Sequence, residues 1–342
     1  MSRLATGVLT FVVLASAGAS AAPRFLATNM PEVHAVAGPP AGFDPVRASD
    51  EERASYGFPP PPDAVRAPES YAHWARAMRA SRTRIVPKLA VSAVRHGAMR
   101  PAVMHPAIVH GVAATSSNWS GAVQTSSATS FGPLSYWIVG GNVTVPVAAQ
   151  PFNSCTGGWL YDSAWFGLDG AQNYSSDVLQ AGIDADAYCA NGYTATNYDV
   201  WYEWAPGNGV TIQNMPVQPG DEIYFAVWAL SPAQGAAFIV NDNTGQSAGF
   251  TIDPPAGTKL IGNSAEFITE RPEVNNKLAN LARYTLEIFT GGYIENNQNA
   301  PFFAGGPSLT DVTMLDNNGQ PISAPHIVGG DTITTLDEGS AQ

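Results

Sequence analysis

The side chains best suited to chemistry in this chain are carboxylates and amides spaced two residues apart in β-like segments. In Val178-Leu179-Gln180-Ala181-Gly182-Ile183-Asp184, the strand period of two puts Gln180 and Asp184 on one face. In Trp201-Tyr202-Glu203-Trp204, Glu203 shares a face with Asp199 and Trp201; in Trp165-Phe166-Gly167-Leu168-Asp169, Trp165 shares one with Asp169. In Ala265-Glu266-Phe267-Ile268-Thr269-Glu270, both glutamates point the same way. A carboxylate can take a proton from water and return it to a leaving group. A primary amide donates and accepts at once, so it can hold an oxyanion while orienting a water. The same pattern also suits polar residues on the solvent face of a sheet, with the aromatics as cross-strand packing, and the residues alone leave both readings open.

Composition excludes most other chemistries. There is no His-Glu-x-x-His for zinc, and neither Asp-Thr-Gly nor Asp-Ser-Gly for a two-aspartate protease. Beyond residue 112 the only histidine is His326, which leaves a cysteine nucleophile without a choice of base. Gly245-Gln246-Ser247-Ala248-Gly249 matches a serine-hydrolase elbow, with Asp311 or Asp316 and then His326 in the required order. That motif needs a helix after the serine, and Phe250-Thr251-Ile252 reads instead as a return strand. No metal or cofactor is implied.

Charge divides the chain. Residues 1–100 hold twelve of the sixteen Lys and Arg against seven acids; residues 101–342 hold Lys259, Arg271, Lys277 and Arg283 against twenty-one acids. So acidic a region is unsuited to nucleic acid. Arg3, the apolar run Gly7 to Ala15 and the small residues Ala19-Ser20-Ala21 read as a signal peptide over 1–21, too short to span a bilayer. The rest is then exported and soluble, without a membrane partner. In that setting Cys155 and Cys189 read as one disulfide, two free thiols being the alternative. Asn118, Asn142 and Asn173 lie in glycosylation sequons, relevant where the source glycosylates.

Residues 22–112 are proline-punctuated, and a helix is expected after Pro59-Pro60-Pro61-Pro62, starting at Pro68 with Tyr71, Trp74, Ala75 and Met78 on one face. One such helix cannot bury a core alone, so the region is an appendage that docks on something. From about Ala114, short β-branched and aromatic runs alternate with turn clusters such as Asn241-Asp242-Asn243-Thr244-Gly245. The fold class is all-β, an antiparallel sandwich of two sheets. A helical turn or two is expected near Asn275 to Leu281, and disorder in the tail from about Asp331.

These motifs together resemble the glutamic peptidase (eqolisin) family. The likeness runs through Ser116-Ser117-Asn118-Trp119-Ser120-Gly121-Ala122-Val123, Ala164-Trp165-Phe166-Gly167-Leu168-Asp169-Gly170, the Gln180 and Glu203 segments, and Ala265 to Glu270, over about residues 114–315. The resemblance implies a concanavalin/lectin-like sandwich with a cleft on one concave face, and an acid endopeptidase made as a zymogen. It implies Gln180 and Glu270 as the catalytic pair, with Trp119, Trp165, Asp169, Asp184 and Glu203 lining the substrate cleft. The chain then divides into a signal peptide (1–21), a basic, partly helical propeptide (22–112) and a peptidase domain (113–342). The expected partners are protein or peptide substrates and its own propeptide, as an intramolecular inhibitor of a monomer. The basic segment is expected to bind the acidic cleft at neutral pH and to leave it in acid. Arg271-Pro272 and the cysteine positions depart from the fungal pattern. The rival readings are a carbohydrate-binding or glycoside-hydrolysing sandwich, and a non-catalytic secreted binding protein.

Overall fold

The computed structural model describes residues 22–102 and 114–339, apart from 153, 173, 174, 176, 299, 300, 304–307 and 330. The expected signal peptide and the Asn173 sequon lie outside the described residues. The principal elements are β1 (Val33–Val36), α1 (Asp50–Ser55), α2 (Pro68–Ala80), β2 (Leu89–Val91), β3 (Trp119–Thr125), β4 (Tyr136–Thr144), β5 (Ser163–Leu168), β6 (Val178–Ala190), β7 (Tyr193–Ala205), β8 (Val210–Ile212), β9 (Glu222–Ser231), β10 (Gln234–Asn241), β11 (Gln246–Ile252), β12 (Ser264–Glu270), β13 (Glu287–Asn296), β14 (Thr310–Leu315), β15 (Pro321–Gly329) and β16 (Thr332–Asp337).

The expected sandwich is present. One sheet runs β14, β3, β12, β5, β6, β7, β8, β2, antiparallel throughout. The other runs β16, β13, β4, β9, β10, β11, β1, also antiparallel. β15 pairs with both β14 and β16 and so joins the sheets along one side. Between them lie the inward residues of each strand. Phe166 meets Phe225, Phe267 and Phe289 at ring-centroid distances of 5.8, 5.6 and 5.6 Å. Burying each such ring contributes about 1.5–3 kcal/mol. Cys155 and Cys189 are joined as a disulfide, which ties the loop before β5 to the far end of β6.

The N-terminal segment wraps this sandwich. β1 extends the second sheet at β11 and β2 extends the first at β8, so the segment adds a strand to each sheet. The helix expected from Pro68 is α2, with Pro68 at its first turn and Trp74, Ala75, Ala77 and Met78 buried. Together with Phe58, these residues pack on the outer face of the second sheet, against Ile138, Tyr224, Trp228, Phe238 and Tyr293. α1 was not expected. Its signal is the capping box Ser49-Asp50-Glu51-Glu52, in which Ser49 and Glu52 satisfy each other's backbone N–H groups.

Two local expectations are overturned. Asn275 to Leu281 carries no helical turn. Glu273–Val274 and Lys277–Leu278 pair as a hairpin, because Asn275 and Asn276 take positive φ values of 53° and 60° that asparagine tolerates. The tail is ordered as β16, held by β13 and β15. The sequons Asn118 and Asn142 are also buried and hydrogen-bonded, which closes them to a glycan in the folded chain.

Candidate active site

The outward face of the first sheet gathers the expected residues. On the central strand β5, Ser163 stands opposite Asp184 on one side and Glu270 on the other, and Gly167 stands opposite Gln180. Gln180 is opposite Glu203, and Glu270 is opposite Trp119. Because β5, β6, β7, β12 and β3 lie side by side, residues distant in sequence meet on one surface. Gly182 makes room there: a Cβ at that position would lie 2.3 Å from the Ala164 carbonyl oxygen and 2.5 Å from Trp165 Cβ.

Residues 94–101 of the N-terminal segment cross this face. The His96 carbonyl oxygen accepts from Gln180 Nε2 at 2.9 Å. The Gly97 N–H donates to Glu270 Oε1 at 3.4 Å, and the Gly97 carbonyl accepts from Trp119 Nε1 at 3.0 Å. Asn118 Nδ2 donates both to the Ala98 carbonyl, at 3.2 Å, and to Glu270 Oε1, at 3.0 Å. The Met99 N–H reaches the Gly170 carbonyl, and Arg100 pairs with Glu273. Trp165 Nε1 donates to Glu270 Oε2 at 2.8 Å. Gln180 Oε1 is buried and has no protein hydrogen-bond partner among the described residues.

The His96 side chain fills a polar pocket beside this line. Its ring lies flat on Trp201, with centroids 3.5 Å apart and planes within 1°. Nδ1 faces Glu203 Oε2 at 3.2 Å and Nε2 faces Asp184 Oδ1 at 3.1 Å, with Ser163 Oγ equally close to Nε2. Burial opposes a charge on His96, but the two carboxylates outweigh it and raise the imidazole to about 10. Burial raises Glu203 above the ordinary glutamate value, against the pull of His96. Burial likewise lifts Glu270 to about 8, opposed by the His96 charge and by the donors Gly97, Asn118 and Trp165.

Of the seven site residues expected from sequence, six meet here: Gln180, Glu270, Trp119, Trp165, Asp184 and Glu203. The seventh, Asp169, lies just past the end of β5 at a positive φ of 71°, so strand alternation does not carry to it. Its carboxylate accepts from the N–H groups of Ile261 and Asn263, both at 2.7 Å, and so fixes the approach to β12. Burial raises it to about 6. Asn118, Ser163 and His96 were missed as site residues. Only Asn118 and Ser163 had a signal, in lying beside Trp119 and Trp165 on strands already expected at the cleft. The serine motif falls away: Ser247 sits inside β11, its Oγ against Ser81 Oγ at 2.6 Å and Arg84 Nε at 3.3 Å, with no imidazole.

A model of the peptidase A4 family matches residues 117–335. The chain belongs to this family. As a member of the peptidase A4 family it is a glutamic endopeptidase, as the resemblance implied. Aspergillopepsin-2 of Aspergillus niger is 30% identical over 237 residues, 64% of this chain and 77% of that protein. Two solved structures of scytalido-glutamic peptidase, each with a transition-state analogue, superpose with TM-scores of 0.53 and 0.52. Both are 24% identical and cover 65% of this chain and 98% of theirs, a likeness that shows a shared fold. The peptidase A4 match begins downstream of the segment that fills the cleft.

Proposed function

We propose that this chain is the zymogen of an exported endopeptidase active in acid, with Glu270 as general base and acid and Gln180 as the oxyanion donor. The observation that carries this reading is a single peptide bond. The carbonyl of His96 points at the Gln180 amide, and the N–H of Gly97 points at Glu270. A peptide bond held this way has its developing oxyanion against a neutral donor and its leaving nitrogen against a carboxyl group. Gln180 Oε1 is free to accept from a water that Glu270 deprotonates, and Glu270 then passes the proton to the leaving amine. Asn118 and Trp165 hold the Glu270 carboxylate in place through its two oxygens. The partner facing Glu270 across the bond is an amide, which keeps both its donor and its acceptor when carboxylates take up protons.

The inhibitor role of the segment 22–112 is supported by its course over Gln180 and Glu270, which leaves no path for another peptide. Export is supported by the signal-like residues 1–21 and the disulfide. Action in acid is supported by buried carboxyls elsewhere in the sandwich. Burial raises Asp162, Asp186, Glu266 and Glu287, so the folded state binds their protons more tightly than the unfolded chain does. Their contribution is present at low pH and erodes as pH rises above the ordinary carboxylate values of about 4. The substrates are proteins or peptides, cut by a monomer.

The test is digestion of a denatured protein across the acid range by the processed wild type, beside Glu270→Gln prepared identically. Cleavage by the wild type that is lost in a folded variant is expected. Equal cleavage by both removes Glu270 from the mechanism, and cleavage by neither removes the active-enzyme reading.

A further inference from the structure

We propose that the chain cuts itself between His96 and Gly97, with the Trp201–Asp184–Glu203–Ser163 pocket selecting the histidine on the acyl side of the bond. This rests on the assignment of Gln180 and Glu270 given above. The segment does not merely lie over the cleft: it is threaded through it in the pose of a substrate. Before the bond, the Ser92 N–H donates to the Gly209 carbonyl, and the His96 N–H donates to Glu203 Oε2 at 2.8 Å. After it, Gly97, Ala98, Met99 and Arg100 are each held through the backbone, by Trp119, Asn118 and Gly170. Backbone is thus gripped on both sides of one bond, and that bond alone meets Gln180 Nε2 and Glu270 Oε1 together.

The pocket supplies the selectivity. A planar ring is sandwiched on Trp201, and each of its nitrogens meets a separate buried carboxylate. A doubly protonated imidazole satisfies both acceptors at once. An apolar side chain leaves Asp184 with Ser163 and Glu203 with the backbone N–H as remaining donors, and takes away the charge that offsets two buried carboxylates. Gly97 completes the pattern on the other side: a Cβ there would meet nothing within 4 Å, so the leaving residue imposes no steric demand.

The step consumes one water. Its oxygen bonds to the His96 carbonyl carbon while Glu270 takes a proton from it. The carbon–nitrogen bond then breaks, and Glu270 returns the proton to the Gly97 nitrogen. The products are a carboxyl group at His96, which keeps the second proton of the water, and an amine at Gly97.

The experiment follows the purified full chain by intact mass from about pH 3 to pH 8, spanning the carboxylate and histidine ranges. Digestion of a denatured protein is measured in parallel. The expected first products are a fragment ending at His96 and one beginning at Gly97, at a rate independent of chain concentration. Gly97→Pro, which removes the N–H that faces Glu270, should yield neither. Because that variant could misfold, the synthetic peptide Val94–Pro101 is also offered to the processed enzyme. It should be cut after histidine, and its alanine counterpart about 100-fold more slowly, since two buried carboxylates lose the imidazolium between them. If the enzyme digests the denatured protein but its own first cut falls elsewhere and the peptide is spared, self-cutting here is overturned while the peptidase assignment stands. If neither the denatured protein nor the chain is cut, both fall.

Discussion

The N-terminal segment holds the sandwich at two places built from different materials. Residues 94–101 lie in the polar cleft, where the grip is mainly hydrogen bonds and ion pairs, with the His96 ring stacked on Trp201. α2 and Phe58 lie on the outer face of the second sheet, where the grip is Trp74, Ala77 and Met78 against Tyr224, Trp228 and Phe238. Protons act on the first grip; at the second they reach only its edge, where burial raises Asp242 to about 6 against the pull of Arg76. With the cleft filled, Asp184 and Glu203 outweigh burial and hold His96 above its ordinary value, so seating the imidazole there takes up a proton. The His96 contribution is complete below about 6.5, its ordinary value, and is lost as pH climbs through about 10. Over that range a falling pH tightens the His96 contact.

The comparison can be broken first at its apolar end. Trp74→Ala empties a fully buried site and should cost about 3–5 kcal/mol, by the same amount at pH 4 and pH 7, in urea unfolding of the uncut chain. A cost that changes with pH would mean that losing Trp74 also disturbs Asp242 at the edge of this face. At the polar end, His96→Ala removes charge-assisted hydrogen bonds worth about 2–3 kcal/mol. Its effect should be full near pH 6 and fade toward pH 10, and hydrogen exchange of the Gly97 to Arg100 amides would read it. Equal exchange in both forms would place the grip elsewhere.

A third variant sharpens the contrast inside the domain. Glu287 is buried beside Thr269, Thr335 and the raised Asp162. Glu287→Gln keeps the shape without the ionisation. It should flatten the loss of thermal stability as pH rises above the ordinary glutamate value, because burial raises Glu287 and the amide does not titrate. An unchanged slope would assign the alkaline weakness to other groups. The smallest effect belongs to the pair between half-exposed Arg76 of α2 and largely buried Asp242, which Asn142 also holds: Arg76→Ala should change stability by about 1 kcal/mol or less, and less still in high salt.

Strand alternation made most of the cleft legible. Gln180, Asp184, Glu203 and Glu270 were placed on common faces because a pleated strand leaves no other choice. Alternation failed at Asp169, where the chain leaves the strand through a left-handed residue that no period describes. His96 was invisible for a different reason. A histidine in a basic, proline-rich stretch carries no local sign of a partner, and its partners Asp184 and Glu203 lie 88 and 107 residues away. Asn118 was read for its Asn-x-Ser pattern and as part of the motif around Trp119, but not as the amide that holds Glu270. The hairpin at Asn275-Asn276 was mistaken for helix because Leu278 and Leu281 mimic a helical face, while the two asparagines that favour a tight turn were passed over.

β1 and β2 finish the two sheets at β11 and β8, strands whose outer rims have no other partner among the described residues beyond the short parallel stretch at Thr83–Arg84. An unpaired rim is a template that a neighbouring molecule can complete. The segment therefore bears on how this peptidase behaves in a crowd. A chain stripped of it would show two bare rims and an apolar face, and would be drawn to its own kind as its concentration rose.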